Sequence, residues 1–151
     1  MHYPALTPSR VAFTARSTVR FLRAAHRAGL ISGEGGPKAM LALAPNLARY
    51  HFTTAREVEQ GAAAVPERTA LIDDDGLLSY RQLRDQSRTL GRWLLQVQQD
   101  KGLDALRIGV MARNGRGIIL PLAAKGYTGG TIFLLNIGSS PEQLAGIIAE
   151  N

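Results

Sequence analysis

Apolar positions in this chain follow a helical spacing first, alternate briefly near its middle, and run together near its end. Between residues 9 and 29, Val11, Thr14, Thr18, Phe21, Leu22 and Ala25 share one side of a helical projection. Arg16, Arg20, Arg23 and Arg27 recur at intervals of four, three and four on the other side, so an amphipathic helix is predicted. Pro8-Ser9 opens it and Gly29 closes it. Gly33-Glu34-Gly35-Gly36 then reads as a flexible hinge, and Pro37 suits the first turn of a short helix reaching about Arg49. Pro45 is expected to kink or stop that helix. Thr54-Ala55-Arg56-Glu57 has capping-box spacing, with Thr54 as the cap of a helix to about Ala64.

Residues 69–73 are β-rich, and Asp74-Asp75-Gly76 supplies a turn that folds them back on Leu77-Leu78. Ser79-Tyr80-Arg81-Gln82 is a second capping box. The helix behind it aligns Tyr80, Leu83, Ser87, Leu90, Leu94 and Val97 in one stripe. From residue 107 the pattern becomes alternating α/β: a buried strand (107–112), a polar loop (114–117), an apolar helix (118–125) and a second buried strand (131–135). Continuous apolar strands joined by one helical crossover imply a right-handed βαβ unit in a parallel sheet. Ser140-Pro141-Glu142-Gln143 starts a last helix.

Composition narrows the chemistry. The 151 residues, 45% of them apolar, suffice for one ordinary domain with a core. There is no cysteine, which excludes disulfides, thiolate catalysis and a Cys-based zinc site. His2, His26 and His51 are too scattered for a metal-ligand pattern. No apolar run reaches the roughly 18 residues of a membrane span, and no secretory core opens the chain, so a cytoplasmic location is expected. The net charge of +6 is uneven: residues 1–56 hold eight basic groups and one acid, the remainder ten and eleven. A basic arm on a near-neutral domain is the expectation.

Several segments together carry a family resemblance. Pro66-Glu67-Arg68-Thr69-Ala70-Leu71 followed by Leu78-Ser79-Tyr80-Arg81-Gln82-Leu83 resembles the opening of the adenylate-forming (AMP-binding) enzymes. Residues 107–114, Arg-Ile-Gly-Val-Met-Ala-Arg-Asn, look like that superfamily's next strand. Residues 134–144, from Leu134-Leu135-Asn136 to Gln143-Leu144, are similar to a stretch of bacterial fatty-acyl-CoA synthetases. The leader, with residues 22–30, looks more loosely like the N-terminal extension of some members. The resemblance implies an α/β fold: an incomplete N-terminal subdomain of the adenylate-forming enzyme, with a βαβ parallel unit preceded by a β-hairpin and helices. On that reading residues 1–50 are a basic helical extension and residues 51–151 a truncated AMP-binding-type domain.

The implied parent activity joins a fatty acid to coenzyme A through an acyl-adenylate, using ATP and magnesium. The family's phosphate loop ending in Pro-Lys-Gly, its ribose and magnesium acids and its late lysine have no counterpart in these residues. The expectation is a fragment inactive by itself, cut short by truncation or frameshift, or one half of a split ligase completed by a second chain. No catalytic, cofactor-binding or metal-binding residue is carried over, and ATP, magnesium and CoA belong to the complete enzyme.

Look-alike motifs have structural readings. Tyr127-Thr128-Gly129-Gly130-Thr131 echoes a phosphate loop but feeds straight into an apolar strand, so a helix end and turn are expected. Asn114 in Asn114-Gly115-Arg116-Gly117 is expected to cap backbone groups. Asp73, Asp74 and Asp75 read as a solvated turn, since three adjacent side chains cannot converge on one ion. Trp93 reads as a packing anchor. The stripe Arg16, Arg20, Arg23 and Arg27 has the widest functional scope. It fits a helix on an anionic membrane surface, giving a peripheral location and a non-catalytic scaffold as the alternative function; a transit peptide or a solvated surface helix are other readings. Nucleic acid is not expected as a partner, because no binding fold or interleaved aromatics accompany the arginines.

Overall fold

The computed structural model describes residues 35–150 together with Arg20, Arg23, Ala24 and Arg27. The chain divides into two units, Met1–Glu34 and Gly35–Asn151. In the first, Arg20, Arg23 and Arg27 are helical and exposed. Arg16 and most of the helix expected over residues 9–29 lie outside the described residues.

The second unit begins at Gly35, whose φ of +87° only glycine adopts without strain. A Cβ there would lie 2.3 Å from the Ala64 Cα, so Gly35 packs closely against the end of the helix Thr54–Ala64, while Gly33 and Glu34 of the expected hinge lie outside the described residues. Helix α1, Gly36–Tyr50, follows, with Pro37 in its first turn. It runs through Pro45 instead of stopping there. Helix α2 is Thr54–Ala64. Its cap is Thr53, not Thr54: the Thr53 hydroxyl accepts from the Arg56 N–H, while the Thr54 hydroxyl donates to the Leu122 carbonyl. The expected capping box is therefore displaced by one residue, because a tertiary partner takes the Thr54 side chain.

Strands β1 (Thr69–Asp73) and β2 (Gly76–Ser79) form the anticipated antiparallel hairpin, pairing Asp73 with Gly76 and Ile72 with Leu77. Arg68 and Pro66 carbonyls accept from the Tyr80 and Arg81 amides, which ties the hairpin's entry to helix α3, Tyr80–Asp100. The Ser79/Gln82 capping box is complete in both directions. Leu83, Ser87 and Leu94 of the predicted stripe are buried, and so is Gly91 beside them. Trp93 departs from its expected role: it is 59% exposed, on the far side of that stripe.

Strand β3 (Arg107–Val110) pairs in parallel with β4 (Thr131–Leu134) across helix α4, Arg116–Thr128. The βαβ unit is as anticipated, but the strands are shorter and only partly buried, since this sheet has two strands among the described residues. Helix α5, Pro141–Glu150, opens with reciprocal bonds between Ser140 and Gln143. The core forms where α2, α3 and α4 meet. One cluster joins Val58, Leu78, Leu83 and Ala123, and another joins Leu94, Leu106 and Ala124. The described fold is thus mixed α/β, built on three packed helices flanked by two small sheets. No described helix is long and apolar enough to cross a membrane.

Candidate functional site

Two polar clusters hold these elements together, and both join residues far apart in sequence. In the first, Asp73 at the end of β1 accepts from the Arg116 backbone N–H at 2.8 Å and from its guanidinium at 2.6 Å. The Asp73 side chain is only 7% exposed. The Arg116 side-chain hydrogen bond, then its amide, hold the Asp73 carboxyl far below the usual carboxylate range, and the same contact raises the Arg116 pKa. Asp73 thereby caps α4 from outside, in the place expected for Asn114. Of the three adjacent aspartates only Asp74 and Asp75 form the exposed turn.

That cap decides a functional question. A depression of about 420 Å3 lies beside Asp73, Asn114 and Gly115, just beyond the end of β3. Such a position commonly receives an anion on a helix N-terminus. Here an internal carboxylate already fills the terminus, so the depression does not offer that chemistry.

The second cluster centres on Glu59 of α2, which is 6% exposed. Arg88 of α3 grips it with two hydrogen bonds, Nε to Oε1 at 2.5 Å and Nη2 to Oε2 at 2.7 Å. The Tyr127 hydroxyl of α4 donates to Glu59 Oε1 at 2.9 Å. One carboxylate thus links three helices. Its hydrogen bond raises the Arg88 pKa, while burial, followed by the bond to Glu59, raises that of Tyr127. The Tyr50 ring meets Tyr127 edge-on at 5.3 Å between centroids, which brings the end of α1 onto the same site.

In front of this cluster lie two open depressions, of about 420 and about 510 Å3, that share Arg49, Tyr50 and Gly126 in their walls. Arg88 and Arg92 line the first and Lys125 the second, with no carboxylate among the lining residues. His51, at φ +51°, turns the chain between α1 and α2 at the rim. A side chain in this left-handed region carries strain that the surrounding contacts must offset. Sequence reading missed this site. The arginines stand on helix faces that periodicity marks as solvated, and the buried Glu59 sits among ordinary surface-type residues of α2.

Tyr127 and Thr128 end α4, and Gly129, at φ +72°, makes the turn into β4. This is the helix end anticipated for that phosphate-loop look-alike. Of the arginine stripe, Arg20, Arg23 and Arg27 are helical and exposed, and Arg16 lies outside the described residues. No group of three His, Cys, Asp or Glu side chains gathers as a metal site among the described residues. No family model, no curated protein and no solved structure matches the chain.

Proposed function

We infer that these residues are the N-terminal scaffold of an adenylate-forming enzyme that makes fatty-acyl-CoA. The reading rests on the sequence resemblance. One observation supports it above the rest: the segments that carry the resemblance are also the ordered joints of the fold. Residues 66–83 make the hairpin and the capped start of α3, held by the Tyr80 and Arg81 amides on the Arg68 and Pro66 carbonyls. Residues 107–114 and 134–144 contain β3 and the passage from β4 into the capped α5. Each of these three segments thus has a local structural purpose.

On this reading the residues supply packing and position, while ATP, magnesium and CoA are handled by residues outside them. Two measurements test it. The 151-residue chain alone should give no fatty-acid-dependent ATP–pyrophosphate exchange. Supplied to a bacterial fatty-acyl-CoA synthetase lacking the equivalent segment, it should restore exchange. Turnover by the isolated chain, or no rescue by a folded chain, would count against the reading.

A second reading has its own observation. Arg20, Arg23 and Arg27 are exposed on helical backbone, and each basic side chain near an anionic bilayer contributes about 1 kcal/mol. A non-catalytic protein held on such a surface by this arm would pellet with anionic vesicles. Replacing Arg16, Arg20, Arg23 and Arg27 by alanine should abolish pelleting, and equal pelleting of the variant would remove the idea.

A further inference from the structure

We propose that the groove walled by Arg49, Arg88, Arg92 and Lys125 binds a small, multiply charged phosphate compound. The proposal does not depend on the ligase reading.

Its first support is charge. The groove collects cations from three separate elements, Arg49 from α1, Arg88 and Arg92 from α3, and Lys125 from α4. Arg88 is already neutralised by Glu59. Arg49 contacts the Tyr50 ring face at 5.5 Å, and the Arg92 guanidinium donates to the Thr89 hydroxyl at 3.0 Å. Neither contact supplies a counter-charge. Two uncompensated cations therefore line each depression, Arg49 with Arg92 in one and Arg49 with Lys125 in the other, and neither wall contains a carboxylate.

The second support is shape. The two depressions are concave and meet at a shared wall, and each lies in the volume range of small-molecule sites. A flat bilayer would not enter them. Rigidity is the third. The floor is the Glu59–Arg88–Tyr127 cluster, fixed by bidentate geometry, so Arg88 and Tyr127 are held in place before any ligand arrives. Gly126, shared by both depressions, cannot carry a side chain, because a Cβ would stand 2.5 Å from the Ala55 Cβ. The close approach of α4 to α2 at Gly126 adds to that rigidity.

These features specify the ligand's chemistry. Guanidinium forks suit phosphate or carboxylate oxygens, and lysine adds a point charge. Two unmatched cations in each depression call for a ligand with more than one negative charge. A pyrophosphate-type group carries that density, whereas a single carboxylate does not.

The test is an amide-shift titration of the full chain with sodium pyrophosphate at low salt. Saturable shifts are expected at residues 49–54, 88–92 and 125–130. The double substitution Arg49→Ala/Arg92→Ala should weaken binding at least about tenfold, the equivalent of losing one charge-assisted hydrogen bond. Lys101→Ala/Arg113→Ala removes the same charge from exposed positions outside the groove and should change binding less than about twofold. Should the first variant fail to fold, Lys125→Ala, at an exposed position near the end of α4, should still weaken binding several-fold. Absence of saturable shifts would overturn the proposal. So would equal weakening in the Lys101/Arg113 control, which would mean net-charge attraction alone. Binding of anionic vesicles or an oligonucleotide at these residues without binding of pyrophosphate would also overturn it.

Discussion

Replacing Arg88 with alanine should destabilise the Gly35–Asn151 unit by about 2 kcal/mol, midway between the limits for buried and exposed ion pairs. Stranding a fully buried partner costs roughly 3–5 kcal/mol, while a surface pair contributes at most about 1 kcal/mol. Here Glu59 is almost entirely buried, but the Arg88 side chain is 41% exposed, so water screens half of the pair. Tyr127 still donates one hydrogen bond to Glu59 in the variant, which limits the loss. Urea unfolding at neutral pH measures the difference from a shift in midpoint at constant slope.

A double-mutant cycle isolates the cause. Glu59→Leu combined with Arg88→Ala removes the buried charge along with its partner. The double variant should therefore be less destabilised than the sum of the single changes, by about 1–2 kcal/mol. A loss below about 0.5 kcal/mol for Arg88→Ala, the range of an ordinary surface substitution, would refute the reasoning. Additivity in the cycle would refute it as well.

Gly126→Ala should cost about 1–2 kcal/mol in the same assay, since overpacking against Ala55 outweighs the roughly 1 kcal/mol that alanine contributes in a helix. A gain in stability would show that α2 and α4 separate easily. Asp73 predicts a pH effect. Its folded pKa lies below the ordinary value of 3.8, so its stabilisation is fully present above that value and is lost as pH falls further. The urea midpoint should drop more steeply for the wild type than for Asp73→Asn as pH falls below about 4, and equal slopes would contradict the cap assignment. Ser79→Ala breaks the capping box of α3 and should cost about 1 kcal/mol, with Ser79→Asp expected to retain most of it.

Local order was legible where short-range physics decides it. The Ser79/Gln82 and Ser140/Gln143 boxes bond residues three apart, so their partners are written in the same short segment. The β1–β2 turn and the Gly129 helix end are equally local. The misreadings share a cause of the opposite kind. Thr54 fits a cap by spacing, but the carbonyl of Leu122, 68 residues away, takes its hydroxyl. Asp73 reads as one of three solvated aspartates until α4 is placed above it. Trp93, large and apolar, reads as an anchor until the stripe through Gly91 and Leu94 turns it toward water.

By itself the sequence determined the order of the elements, most of their ends and the parallel βαβ pairing, because helix and strand periods and caps act within a few residues. It also carried the family resemblance, which is a property of segments and not of contacts. Tertiary structure alone decided where charge is buried and where it is gathered. Glu59 meets Arg88 and Tyr127 across 29 and 68 positions, and Arg49, Arg92 and Lys125 line adjoining depressions from three helices. No spacing rule encodes such convergence. It follows from helix packing, which brings distant residues into one low-dielectric space where their charges must be answered.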